Sequence, residues 1–189
     1  MDNQTVRLVR KTPLSADTTD FCFEIENGRF SGLEAGAHVD VHLGGDLIRQ
    51  YSLWSWTQDG RLINVAVKRE AEGRGGSLAM HALEEGASVQ IGGPRNHFPL
   101  ENSDRYVTLI AGGIGATPLV AMARQLLNAG QKFQIYYLVR SKEYAAMDCK
   151  FRDLGLENWY HLHCDDTDGQ IDLGHVMQTM PAGSDVYVC

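Results

Sequence analysis

LIAGGIGATP, residues 109–118, is an apolar run that breaks on glycines and restarts at Thr117 and Pro118. Together with Tyr106 to Thr108 it gives YVTLIA, a continuous apolar stretch of the kind found in strands buried on both faces of a parallel sheet. Thr117 suits a helix N-cap and Pro118 the first helical position, where a missing N–H costs nothing. Glycines let backbone approach a ligand that a Cβ would hold off, and a helix start offers free N–H groups. In chemical terms this is a site for a dinucleotide pyrophosphate. The spacing GGxGxTP is not the GxGxxG fingerprint, and no acidic residue about 20 positions on ends the next strand, so a tight turn with no ligand reads equally well.

Working outward from that turn, the second half alternates. A helical pattern carries Leu119, Val120, Met122, Leu126 and Leu127 on one side and closes on Gly130. FQIYYLV reads as the next strand. A helix over 143–154, the strand WYHLHC, a short helix over 173–180 and the strand DVYVC follow. That order predicts a parallel sheet flanked by helices. The first half is strand-rich, with strands expected at 6–11, 21–26, 38–43, 47–54, 62–69 and 88–91, and one short helix through SLAMHAL. Short strands separated by Asn27-Gly28, Gly44-Gly45, Asp59-Gly60 and Gly92-Gly93-Pro94 predict a small antiparallel barrel. The polar stretch Glu101 to Asp104 marks the boundary, giving units 1–102 and 103–189.

The 189 residues carry a net charge of −7, which disfavours a nucleic-acid surface as the main function. No apolar stretch approaches the roughly 20 residues of a membrane helix, and the N-terminus lacks a signal-peptide core, so a cytoplasmic location is expected. Cys22, Cys149, Cys164 and Cys189 show no metal-ligand spacing and read as free thiols, the first three buried.

Two further stretches can bind anions. Arg49-Gln50-Tyr51-Ser52 sets a forked cation, a flat ring and a hydroxyl on one strand; a solvent-facing arginine and a packed tyrosine is the plainer reading. Glu72-Gly73-Arg74-Gly75-Gly76-Ser77 leads into the short helix with successive N–H groups and a hydroxyl. His38-Val39-Asp40-Val41-His42 could supply metal ligands, but it reads better as the polar outer face of a strand whose inner face is Val39, Val41 and Leu43. HLHCDDTD, residues 161–168, reads as strand end and loop, and no metal is expected. His97 is a possible ligand contact. Trp54, Trp56 and Trp159 read as packing residues.

RQYSLW, VAVKREAEGRGGS, GGPRNHFPL and LIAGGIGATPLVAMARQL, in this order, resemble the ferredoxin–NADP reductase superfamily, and within it the phthalate dioxygenase reductase group that includes the vanillate demethylase reductases. The resemblance covers essentially the whole chain. It implies a flavin-binding barrel followed by a nicotinamide-binding α/β unit, with FMN favoured over FAD and NADH over NADPH. Arg49, Ser77, Gly75 and Gly76 would hold the FMN phosphate, and Gln50 would lie in the same site. Tyr51 would pack on the isoalloxazine, Ser52 would hydrogen-bond near N5, and Val65, Ala66, Val67 and Lys68 would line the ring edge by backbone. Gly112, Gly113, Gly115 and Thr117 would meet the nicotinamide cofactor, with Thr117 also near the flavin, and Arg140 would reach its ribose or phosphate. Cys189 would lie by the nicotinamide, so Ser52 and Cys189 are the residues expected at the reacting rings. The family's last motif stops after Cys189, and the plant-type [2Fe–2S] domain of the full-length form is not present, so the chain reads as the front portion of a longer reductase. The implied function is NADH oxidation through FMN toward an iron–sulfur centre and a Rieske-type oxygenase acting as demethylase or hydroxylase. A stand-alone flavin reductase and a non-catalytic flavin-binding electron-transfer subunit are the alternatives.

Overall fold

A computed structural model describes residues 3–156 and 158–189. The chain divides into two units, Met1–Pro99 and Leu100–Cys189, so the division falls just ahead of the polar stretch at 101–104.

In the first unit, β1 (Gln4–Pro13), β2 (Thr18–Ile25), β3 (Ala37–His42), β4 (Ile48–Trp56), β5 (Leu62–Lys68) and β6 (Ser88–Asn96) close into an antiparallel barrel in the order β1-β2-β5-β4-β3-β6. Alternation decides which side each residue faces. On β3, Ala37, Val39 and Val41 are fully buried, while His38, Asp40 and His42 form the half-exposed outer face. Phe21, Phe23, Leu53, Ile63 and Ile91 fill the interior with them. β6 runs five residues beyond the expected end at Ile91, because Gly93 takes a positive φ of 93° and the strand bulges against β3 rather than stopping.

The short helix α1 (Gly76–Ala82) lies between β5 and β6. Its C-terminal carbonyls are satisfied from β1: Lys11 Nζ donates to His81 O and Leu83 O, each at 2.7 Å.

The second unit is a parallel sheet in the order β10-β7-β8-β9. Its elements are β7 (Val107–Gly112), α2 (Ala116–Asn128), β8 (Phe133–Val139), α3 (Asp148–Arg152), β9 (Tyr160–Cys164), α4 (Asp165–Asp168), α5 (Leu173–Thr179) and β10 (Asp185–Val188). Gly130, at φ 67°, ends α2 as expected: its N–H bonds Leu127 O, and the N–H of Gln131 bonds Leu126 O.

The sequence reading needs correction in several places. Gly115, not Thr117, is the N-cap of α2; Thr117 and Pro118 lie inside the first turn, and the Thr117 hydroxyl donates back to Ile114 O at 3.1 Å. The glycines wind a 3-10 turn over Gly113–Gly115, which starts the helix early. The helix expected over 143–154 is broken into a 3-10 turn at Lys142–Tyr144 and the short α3. Between them Ala145, Ala146 and Met147 are buried, and the Met147 N–H reaches the Tyr137 hydroxyl, so packing overrides helix propensity there. Cys149 is exposed, because α3 turns Phe151 inward instead. Trp159 is 40% exposed and does not pack as expected. After β9, residues 165–168 form α4, where Asp168 accepts from Cys164 N and His163 bonds Gly169 O. The described residues contain no group of three His, Cys, Asp or Glu able to hold a metal. No described helix is long and apolar enough to cross a membrane.

Candidate functional site

β4 and β5 begin as neighbours and then part. They pair at Trp56↔Ile63, Ser55↔Asn64 and Leu53↔Val65, with a register shift between Leu53 and Ser55. The next pairs in that register would be Ser52 with Ala66 and Tyr51 with Val67, and neither forms. From there β4 continues beside β3 alone, as far as His42↔Ile48, and β5 continues beside β2 alone, as far as Thr18↔Lys68. The two strands therefore frame a slot. One lip is Arg49 to Ser52; the other is the stretch Ala66 to Lys68, which pairs with β2 on its other side. His81 Nε2 meets Val67 O at 2.9 Å, which ties α1 to the second lip.

The bulge that parts the strands is anchored by Asp20. This carboxylate is only 4% exposed, yet it accepts from Trp54 Nε1 at 2.8 Å and Asn64 Nδ2 at 2.9 Å. A buried carboxylate with two donors is costly to disturb, so the pair of bonds fixes Trp54 in the bulge. The reading from sequence gave Trp54 a packing role and missed Asp20. An aspartate in the middle of TTDFCFEI was the available signal.

Tyr51 lies opposite Val39 and packs half-buried against the barrel core; burial pushes its phenol above the usual range, with Arg49 opposing. Gln50 is exposed and lies opposite Asp40. Ser52 is half-buried and lies opposite His38. Val65 to Val67 are buried, and Lys68 forms an ion pair with Glu70 at 2.9 Å.

At the end of the slot the glycine turn meets the arginine. Arg49 Nη2 donates to Arg74 O at 2.6 Å and Nη1 to Ile48 O at 2.8 Å, which fixes the guanidinium against the turn. Gly75 is left-handed at φ 77°, and a Cβ on Gly76 would run into the Arg49 side chain. This is a cradle of one cation and successive N–H groups, open to an anion. The Ser77 hydroxyl accepts from Glu70 N at 3.0 Å and faces Glu70 O at 3.2 Å, so it clasps the loop.

The second unit builds its turn without a charged side chain. Gly112 N donates to Cys189 O at 2.7 Å, and Cys189 N to Ile110 O at 3.1 Å, so Cys189 extends the β10–β7 pairing. Gly113 takes φ 51°, and a Cβ on Gly115 would collide with the Cys189 backbone. Partial burial pushes the Cys189 thiol up, which keeps it protonated at neutral pH. Thr117 is buried at the helix start. Arg140 is exposed just beyond β8, with its carbonyl accepting from Asp166 N at 3.1 Å. The neighbouring Ser141 hydroxyl is buried and has no partner among the described residues.

Residues 5–99 match the family model of the oxidoreductase FAD-binding domain. The chain is 38% identical over 167 residues to the vanillate O-demethylase oxidoreductase of a Pseudomonas species, covering 87% of this chain and 53% of the relative. It is 37% identical over 164 residues to the phthalate dioxygenase reductase of Burkholderia cepacia, covering 82% of this chain and 50% of the relative. It superposes on a solved phthalate dioxygenase reductase, described as a modular structure for electron transfer from pyridine nucleotides to [2Fe–2S]. The TM-score is 0.88 at 33% identity, covering 99% of this chain and 60% of that one. The chain thus spans about half the length of the curated relatives it matches. With a barrel that seats Arg49 against a glycine turn and a parallel sheet carrying a second glycine turn, the chain belongs to the FAD-binding oxidoreductase family, in the two-unit ferredoxin–NADP reductase-like fold.

Proposed function

We propose that this chain is the flavin- and nicotinamide-binding portion of an oxygenase reductase that takes electrons from NADH through FMN. The observation that carries the reading is the slot between β4 and β5, with Arg49 seated against Gly76 at its end. A tricyclic ring with a phosphate tail needs a flat recess ending in an anion cradle. In this reading Arg49 and the Gly75 and Gly76 backbone hold the phosphate, while Ser77 keeps the loop closed through Glu70. Tyr51 faces the ring, Ser52 donates near N5, and the backbone of Val65 to Lys68 lines the ring edge. Gln50 flanks the ribityl chain. The turn favours FMN over FAD, since residues 69–77 include no aromatic side chain to stack an adenine.

Gly112, Gly113 and Gly115 bring backbone close to the pyrophosphate of NADH, with Thr117 and Cys189 toward the nicotinamide. Arg140 and Ser141 reach the ribose. When bound, the flavin accepts a hydride and gives up electrons singly; the protein positions the rings and needs no acid or base for the hydride itself. The electrons pass to an iron–sulfur centre and from there to a Rieske-type oxygenase, in the cytoplasm. The relatives support this destination, since they are a vanillate O-demethylase oxidoreductase and a phthalate dioxygenase reductase.

An absorbance spectrum of the purified chain with added FMN, before and after anaerobic NADH, tests the reading. Bound-flavin bands near about 370 and 450 nm that bleach with NADH are expected. A chain that takes up no FMN would overturn the flavin site, and bands that do not bleach would overturn the nicotinamide assignment. Faster bleaching with NADPH than with NADH would reverse the cofactor preference.

A further inference from the structure

We propose that His81 is a positioning residue that couples the two ends of the flavin site. Through it, the helix that begins at the phosphate turn holds the second lip of the ring slot at a fixed separation. The inference rests on the flavin reading above and concerns a residue which that reading does not use.

The helix α1 is seven residues long, too short to hold itself together in water by its own hydrogen bonds. Its place is therefore set from outside. At its first residue, Gly76 packs on the Arg49 side chain with no room for a Cβ. Five residues on, a rise of about 7.5 Å, comes His81. Its Nε2 meets Val67 O at 2.9 Å, and its ring stands edge-on to the buried Phe21 ring at 5.4 Å and 80°. Lys11 Nζ donates to the carbonyls of His81 and Leu83 and lies over the same Phe21 ring, 5.6 Å from its centre. The imidazole and the carbonyl of one residue are thus both held, which stops the helix from turning about its axis or sliding along it.

The atom that His81 holds lies in the slot wall. Val67 pairs with Thr19 on β2, but it belongs to the stretch where β5 has parted from β4. A carbonyl only accepts, so Nε2 carries the proton and donates. The neutral tautomer protonated there and the imidazolium both make this bond. A single side chain therefore links the element that starts at the phosphate turn to the strand that lines the ring.

The consequence is one of effective concentration. A ligand with a phosphate at one end and a ring at the other makes its second contact as an intramolecular step. The gain from that step depends on how firmly the two subsites are held at the matching distance. Cutting the His81 bond leaves Arg49, the glycines and the slot residues in place but lets the distance vary. The phosphate then adds less to the binding of the ring.

The test measures FMN and riboflavin affinities by fluorescence titration of the whole chain as wild type, His81→Leu and His81→Gln. Riboflavin lacks the phosphate, and the glutamine amide keeps a donor near the position of Nε2. In His81→Leu, FMN is expected to weaken about fivefold or more while riboflavin stays within about twofold of wild type, so the FMN-to-riboflavin ratio narrows. His81→Gln is expected to restore the ratio to within about twofold of wild type. A residue that merely stabilised the barrel would weaken both ligands alike. Equal weakening, an unchanged ratio in His81→Leu, or a ratio that His81→Gln fails to restore would each overturn the inference. If His81→Leu lacks a cooperative thermal transition, Lys11→Met releases the same helix end without touching Val67. A narrowed ratio is expected there too, and an unchanged one would overturn the coupling. A wild type that binds neither ligand, or binds both equally, would overturn the flavin reading itself.

Discussion

The two glycine turns use the same residue for different ends. At Gly76 the space that a Cβ would fill is taken by the Arg49 side chain; at Gly115 it is taken by the Cys189 backbone. The first glycine therefore lets a cation close over a loop. The second lets two backbone segments meet at the head of a parallel sheet, with no charged side chain at the turn. The difference teaches that a glycine-rich turn does not by itself say how it binds. On the proposed reading the attraction in the barrel comes from a forked side chain, which depends on charge and is screened by salt; in the sheet it comes from backbone N–H groups and close approach.

The largest effect that would break this comparison is expected at Gly76. Gly76→Val forces Arg49 out of the cradle and adds bulk at its floor, and FMN affinity should fall by more than about 100-fold, as the charge-assisted phosphate contacts are lost. Isothermal titration with FMN checks it; an unchanged affinity would mean that the phosphate lies elsewhere. Gly115→Ala comes next. The added methyl meets the Cys189 backbone, and overpacking of this kind costs about 1–3 kcal/mol, so NADH binding should weaken by about tenfold while FMN affinity holds. Loss of both cofactors together would show that the two turns are not independent. Asp20→Asn should weaken FMN by a smaller factor, several-fold, because it acts only through the Trp54 bulge; near-UV circular dichroism should report the altered tryptophan environment. The smallest effect is chemical. Cys149 and Cys189 are both exposed, but desolvation pushes the Cys189 thiol up, so Cys189 should alkylate at pH 7.5 more slowly than Cys149, with a rate that rises as pH climbs. Peptide mapping after iodoacetamide resolves the two, and Cys189 reacting first would contradict the assignment.

Much of this architecture was legible because it rests on local pattern. HVDVH alternates cleanly, and its outer and inner faces lie where period-two reading puts them. Gly130 ends α2 by a backbone rule that any sequence reader can apply. The misreadings have a common cause. Ala145 to Met147 have good helix propensity but are held by burial and by Tyr137, which lies far from them in register. Thr117 has the chemistry of a cap, yet the glycines before it already wind into a turn. The slot itself could not be read from RQYS, because it arises from where β4 stops pairing with β5. That is a property of register across the barrel, fixed in part by Asp20, thirty-four positions from Trp54 in the chain.

The central claim is that Arg49 reads the phosphate and the slot reads the ring. The most direct measurement compares FMN with riboflavin, which lacks the phosphate, by fluorescence titration of wild type and Arg49→Ala. Wild type should prefer FMN, and Arg49→Ala should lose about 1.5–3 kcal/mol for FMN while binding riboflavin as wild type does. An FMN preference that survives the substitution would contradict the account.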